Sequence, residues 1–229
     1  GYKFKQYSHD LKNKFSRSAG WVMDIKEDEK GNIWTSDTYG NISFLNRIND
    51  QWENIPLYVR DTLLKSKPNL PSQIGTSQSL YVDNKNKTLW IGTTGTGILN
   101  YDITTKKFKQ FLVHPENVVK FGWHEVVNKL LALNDSKLLV STDIGLQYFD
   151  TQKHILTKIF NATDSIFITQ VNDVKINGDN IYAATKYGAF IYNTITKQST
   201  VFKNIPNKAN SIASNLVRNI HFSQSSNYL

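Results

Sequence analysis

Three short segments carry residues whose chemistry is worth testing first. "HEVVN" at 124–128 places His124 beside Glu125. A His-Glu-x-x-His helix would hold zinc with two imidazoles and use the glutamate as base, but Asn128 stands where the second imidazole is needed. "GTTGTGILN" at 92–100 contains Gly95-x-Gly97. Such a loop cradles a phosphate only where a strand passes into a helix, and both flanks here read as strands. The five histidines fall in no Ser-His-Asp setting. The chain has no Cys, which removes a thiol nucleophile, a disulfide scaffold and a Cys-type zinc site. No catalytic residue, metal ligand or cofactor is assigned on these grounds, and the chain reads as a protein that performs no chemistry of its own.

The remaining candidates are binding residues. Arg17, Trp21, Asp37, Tyr39, Trp123, His124, Lys186 and Tyr187 combine aromatic rings with hydrogen-bonding groups, as do Lys208 and Asn210. A sugar needs that combination, because its C–H faces stack on rings while its hydroxyls require fixed polar partners. What positions these residues is a repeat. "GNIWTSDTYGNISFLN" at 31–46 and "KTLWIGTTGTGILNYD" at 87–102 share an apolar residue, a Trp, a small polar stretch, a Gly and an alternating strand. "SKLLVSTDIGLQYFD" at 136–150 and "GDNIYAATKYGAFIYN" at 178–193 are weaker copies, with Leu139 and Tyr182 in place of Trp34 and Trp90. The glycines Gly40, Gly97, Gly145 and Gly188 are each followed four residues later by an aromatic: Phe44, Tyr101, Phe149 and Tyr192. Before each copy stands a pair three apart: Val22 and Ile25, Ser77 and Leu80, Val127 and Leu130, Val171 and Val174, then Val217 and Ile220.

Each unit divides into four short strands rich in Val, Ile, Thr and aromatics, separated by Asn, Asp, Gly and Lys turns. "YVRDTLLKSK" at 58–67 reads as one or two helical turns in a connection, and "WHEVVNKLLAL" at 123–133 as a first strand despite its helix-like composition. Units of about 40–50 residues with four strands predict propeller blades, because one blade has two apolar faces and buries them only by stacking. The expected fold is an all-β propeller of four-stranded antiparallel blades at 21–60, 74–113, 124–160 and 170–205. An outer strand at 2–8 precedes them, and a cut blade at 216–229 follows. In that arrangement Trp34, Trp90 and the four post-glycine aromatics pack between blades. The loops entering each first strand and those joining second to third strands share one face, and the binding candidates lie on them.

The segments "VMDIKEDEKGNIW" with Gly40, and "LYVDNKNKTLWIGTTGTGILNYDITTKKFKQF" at 80–111, resemble the two-component-regulator propeller repeat. "NSIASNLVRNI" at 210–220 resembles its usual lead-in to a new blade. That resemblance implies a piece of the periplasmic sensor region of a bacterial hybrid two-component histidine kinase, answering glycan fragments. Rings of that family usually hold seven blades, which need roughly 330 residues, so the chain is expected to be a fragment of one. The rest of the same sensor chain, an oligosaccharide and a second copy are the implied partners; no nucleic-acid role is expected. Two alternatives remain at this stage. One is a lyase resembling the streptogramin-inactivating propellers, for which "IWTSDTYGNISFLN" and the His124–Glu125 pair are the cue. The other is a scaffold propeller of a secretion or cell-surface system.

Charge sharpens the ligand class. With 27 Lys+Arg against 19 Asp+Glu the chain is +8. The excess sits at the two ends: Lys3, Lys5, Lys12, Lys14 and Arg17 against Asp10 in residues 1–20, and five cations with no acid from Lys186 onward. Anionic sugars are therefore slightly favoured. No apolar run approaches the roughly 20 residues of a membrane span.

Overall fold

A computed structural model describes residues 3–57, 76–113, 126–159 and 170–222. Their regular elements are strands: β1 (Val22–Glu27), β2 (Ile33–Asp37), β3 (Asn41–Asn46), β4 (Gln51–Pro56), β5 (Ser77–Asp83), β6 (Thr88–Thr93), β7 (Ile98–Asp102), β8 (Lys107–Phe111), β9 (Val127–Asn134), β10 (Lys137–Thr142), β11 (Gly145–Asp150), β12 (Ile155–Lys158), β13 (Val171–Asn177), β14 (Asn180–Thr185), β15 (Gly188–Asn193) and β16 (Ser199–Phe202). Four consecutive strands at a time form one antiparallel sheet, in the order of the chain. These are propeller blades, one per sequence repeat. The segment from Val127 is strand, which removes the zinc-helix reading of "HEVVN"; the helical turns expected at 58–67 lie outside the described residues.

The turns explain the spacing of the repeats. Each third strand ends in Asn or Asp, and that side chain accepts the backbone N–H groups that follow. Asp102 Oδ1 takes Thr104 and Thr105 at 2.9 and 2.8 Å, and Asp150 Oδ1 takes Gln152 and Lys153 at 3.0 and 2.8 Å. Asn193 does the same for Ile195 and Thr196. These donors hold the Asp102 and Asp150 carboxyls below the usual carboxylate range. Four residues after each of these side chains, and after Asn46, the backbone turns left-handed, at Asp50, Lys106, His154 and Lys197.

The chain divides into two compact units, Gly1–Leu130 and Leu131–Leu229. In the first, Trp34, Ile42, Leu80, Leu89, Ile91, Leu99 and Tyr101 make one core joining the first two blades. The Trp34 ring lies 4.6 Å from Phe44 of its own blade and 6.5 Å from Tyr101 of the next. In the second unit Leu139, Leu146, Val171, Val174, Ile181, Phe190 and Tyr192 form the equivalent core. Leu139, in a Trp position, is fully buried; Tyr182, in another, packs edge-on against Phe222 at 4.8 Å.

Two end segments depart from the expected strands. Residues 3–8 form no strand. The outward edge of β4 is already taken, because Trp52 N–H donates to Phe15 O at 3.1 Å and Asn54 Nδ2 to Ser16 O at 2.9 Å. Tyr7 instead sets its ring edge on Trp52 at 5.5 Å and donates to Asp50 at 2.6 Å. Residues 216–222 also lack strand pairing, yet they lie along β13 and β14: Val217 N–H donates to Thr185 O and Asn172 Nδ2 to Val217 O.

A recurrent bond ties the inner strands β1, β5 and β13 to the next copy of their opening motif. A register shift interrupts β1 between Val22 and Asp24, β5 between Ser77 and Ser79, and β13 between Val171 and Asp173. Such bulges re-aim the next side chain. Asp24 Oδ2 then accepts Leu80 N–H at 2.8 Å, Ser79 Oγ accepts Leu130 N–H at 3.1 Å, and Asp173 Oδ2 accepts Ile220 N–H at 3.1 Å. In each case the acceptor is the third residue, and the donor the fourth, of the repeated motif that opens with Val or Ser.

The residue one position before the end of each second strand is small: Ser36, Gly92, Ser141 and Ala184. A Cβ on Gly92 would come 2.6 Å from Val127 Cγ1, and Val127 is fully buried. Overpacking of this kind costs about 1–3 kcal/mol. Gly92→Ala is expected to lower the unfolding free energy by about that amount, measured by urea denaturation; an unchanged midpoint would show that the approach is loose.

Candidate functional site

The sites expected from sequence fall into three groups. Trp123 and His124 lie outside the described residues. Arg17, Trp21, Asp37 and Tyr39 come together in the first unit. Lys186 and Tyr187 sit in the β14–β15 turn of the second, where the Lys186 ammonium lies 5.1 Å from the Tyr187 ring centroid. Lys208 and Asn210 are exposed in the segment after β16.

In the first unit the loop entering β1 and the β2–β3 turn are stitched together. Thr38 N–H donates to Trp21 O at 3.0 Å, and Trp21 N–H donates to Thr38 Oγ1 at 3.2 Å. The pair of bonds holds Trp21 and Tyr39 at one end of the blade, with side chains 82% and 71% exposed. Arg17 Nη1 braces the same loop by donating to Gly20 O at 2.9 Å. Exposed rings on a fixed backbone offer faces on which a partner can stack.

Asp37 has a different task. It is 1% exposed, and both carboxylate oxygens are consumed. Oδ1 accepts Tyr39 N–H at 2.8 Å and Asn41 N–H at 2.9 Å, while Oδ2 accepts Ser18 Oγ at 2.5 Å and Asn41 Nδ2 at 3.1 Å. The other blades place threonine there. Thr93, Thr142 and Thr185 each donate to the glycine carbonyl that opens the third strand, at 2.9, 2.9 and 2.8 Å. Asp37 is thus the turn lock of its blade and supports Tyr39 instead of facing a ligand. Gly20 is required beneath it, since a Cβ would fall 2.6 Å from Asp37 Cγ.

Of the repeat positions, Gly40, Gly97, Gly145 and Gly188 all take positive φ. Trp34, Trp90, Tyr101, Phe149 and Tyr192 are buried and Phe44 partly so. Gly95 and Gly97 form a strand-to-strand turn between β6 and β7. Among the described residues no group of three or more His, Asp or Glu is placed to hold a metal ion, and no helix is long and apolar enough to cross a membrane.

One site escaped sequence reasoning. A groove of about 530 Å³ runs beside the outer strand of the first blade, walled by Lys14 and Phe15 on one side and by Asn46, Gln51 and Glu53 on the other. Its residues are spread over three segments with no motif, so only the folded loop 10–17 reveals it.

This architecture, four-stranded blades in repeat order, defines a β-propeller. No family model and no curated protein matches the chain. Among solved structures it is similar to the extracellular domain of a chain assigned to the hybrid two-component systems of B. thetaiotaomicron, with TM-score 0.71 and 15% identity over 95% of this chain and 26% of that one. It is also similar to the extracellular domain of a chain assigned to the one-component systems of the same organism, with TM-score 0.55 and 22% identity over 74% of this chain and 21% of that one. The WD40 repeats of RRP9 align with TM-score 0.59 at 11% identity over 82% of this chain and 53% of theirs. At these identities the likeness is one of fold, and the chain spans about a quarter of the length of the two extracellular domains.

Asp37→Ala is expected to destabilise the protein by about 1–3 kcal/mol, because it removes the acceptor of two backbone N–H groups in a half-buried turn and leaves Ser18 and Asn41 without their partner. Chemical denaturation checks it; full stability with altered ligand binding would instead make Asp37 a contact residue.

Proposed function

We propose that this chain is part of the extracytoplasmic, ligand-sensing region of a two-component regulator, that it binds a glycan fragment and that it catalyses no reaction. The observation that carries the reading is the exposure of Trp21 and Tyr39 on two loops that the Thr38 bonds tie together. A catalytic site would invest its rigidity in buried, perturbed acid and base groups. Here the bonded loops carry two solvent-facing rings, and Arg17 braces the loop of Trp21. Stacking and hydroxyl contacts follow from such a surface without any bond being made or broken. The fold likeness to extracellular domains of bacterial signalling systems supports the setting. It supports equally a location outside the cytoplasm, with further parts of the same polypeptide as the receiver of the signal.

Calorimetric titration of the full chain with neutral and acidic oligosaccharide panels tests the reading. Binding is expected from at least one panel, weakened about tenfold by Trp21→Ala or Tyr39→Ala, with the unfolding midpoint unchanged. A tenfold loss is about 1.4 kcal/mol, within the range of an exposed stacking contact. Silence from both panels, or full affinity in both variants, would overturn it.

A further inference from the structure

The groove beside β4 has an asymmetric chemistry. Most of its acceptors are already used. Asn46 Oδ1 accepts Ile48 N–H at 2.9 Å, Asn49 Oδ1 accepts Gln51 N–H at 3.2 Å, and Glu53 Oε1 takes the Lys106 ammonium at 2.5 Å. Asn54 is spent at both ends, on Ser43 Oγ and Ser16 O. What is left is mostly donors, set against the amide oxygen of Gln51 and the second oxygen of Glu53, whose charge the Lys106 ammonium offsets. Among the described residues the amide nitrogens of Asn46 and Asn49 and the side chain of Gln51 have no partner, and Lys14 contacts only the Phe15 ring, 4.9 Å from its centroid.

The Lys14–Phe15 wall is held in place. Asp10 and Ser16 exchange two bonds of 3.0 Å, Asp10 Oδ1 accepts Lys12 N–H at 2.8 Å, and Asn13 Oδ1 accepts Phe15 N–H at 3.0 Å. Phe15 O then receives Trp52 N–H of β4. Phe15 is 42% exposed on a backbone fixed by these bonds, with the Lys14 ammonium beside its ring. A site of about 530 Å³ lies within the size range of small-ligand pockets.

From this we infer that the β4 groove binds the uronate residue of an acidic saccharide. Its carboxylate would lie on Lys14, its ring oxygens and hydroxyls on the free amides of Asn46, Asn49 and Gln51, and its C–H face on Phe15. A donor surplus selects an acceptor-rich ligand, the ammonium selects an anion, and the ring selects one with an apolar face. The inference goes beyond the loop-face reading, because it uses none of Arg17, Trp21 or Tyr39, and it rests on that reading only in treating the chain as a sugar-binding protein.

The test is calorimetric titration of the full chain with tetragalacturonate, a sulfated disaccharide and cellotetraose, in wild type and in Lys14→Gln, Phe15→Ala and Trp21→Ala. The expected result is tetragalacturonate binding that falls about tenfold in Lys14→Gln and in Phe15→Ala and stays unchanged in Trp21→Ala. The Lys14 component should weaken as salt rises. Circular dichroism melting of each variant separates lost contacts from lost folding, and the exposed positions of Lys14 and Phe15 predict unchanged melting. No binding of tetragalacturonate, equal binding of cellotetraose, or preference for the sulfated probe would overturn the inference. Tetragalacturonate binding abolished by Trp21→Ala but indifferent to Lys14→Gln would overturn it while leaving the loop face as the site.

Discussion

A single backbone N–H, repeated from blade to blade, is the contact on which this architecture turns. The donor is the fourth residue of three of the five motifs, at Leu80, Leu130 and Ile220; the acceptor is the third residue of the preceding motif, at Asp24, Ser79 and Asp173. A sheet edge carries unpaired N–H groups, and burying one without a partner costs about 1–3 kcal/mol. The bulge before each acceptor turns that liability into an inter-blade bond. Once inner strands are fixed in register, Trp34 can reach Tyr101 and Gly92 can sit under Val127.

The exception at Lys129 fits the same logic. It occupies the acceptor position of its motif and brings an ammonium instead. Its Nζ lies 4.0 Å from Asp24 Oδ2, while Lys26 Nζ lies 2.7 Å from Asp24 Oδ1. Asp24 therefore serves the backbone donors of Leu80 and Ile25 and two cations together. In β1 itself the motif donor is differently placed: Ile25 N–H bonds back to Asp24 Oδ1 at 2.9 Å, and Val22 and Ile25 are exposed where Leu80, Leu130 and Val174 are buried.

The blades were legible in the sequence because their markers are local. A glycine with positive φ, an aromatic four residues later and an Asn or Asp closing the third strand are each set by a turn of a few residues. The strand nature of 127–133 was legible for the same reason, since repeat register overrode a helix-like composition. The binding residues were legible only by type. Asp37 looked like a ligand because its side chain is charged and its loop faces the right end. Its equivalence to Thr93, Thr142 and Thr185 was visible in the alignment of repeats, and that equivalence is the signal that assigns it to the turn. Trp21 and Tyr39 are legible as aromatics, but no spacing encodes the Thr38 bonds that tie their loops together. The β4 groove was invisible, because its walls come from residues 14–15, 46–54 and 106 and meet only through tertiary bonds. The end segments 3–8 and 216–222 have strand-like composition without strands, since pairing depends on a free edge that composition does not report.

The inter-blade bond is the claim to test. Hydrogen exchange by NMR reads the Leu80 amide directly in wild type, Asp24→Ala and Asp24→Asn. The account predicts slow exchange in wild type and markedly faster exchange in Asp24→Ala, with an unfolding free energy lower by about 1.5–3 kcal/mol. It predicts an intermediate rate in Asp24→Asn, which retains an acceptor. Leu80 exchange at the same slow rate in all three, with stability unchanged, would contradict it.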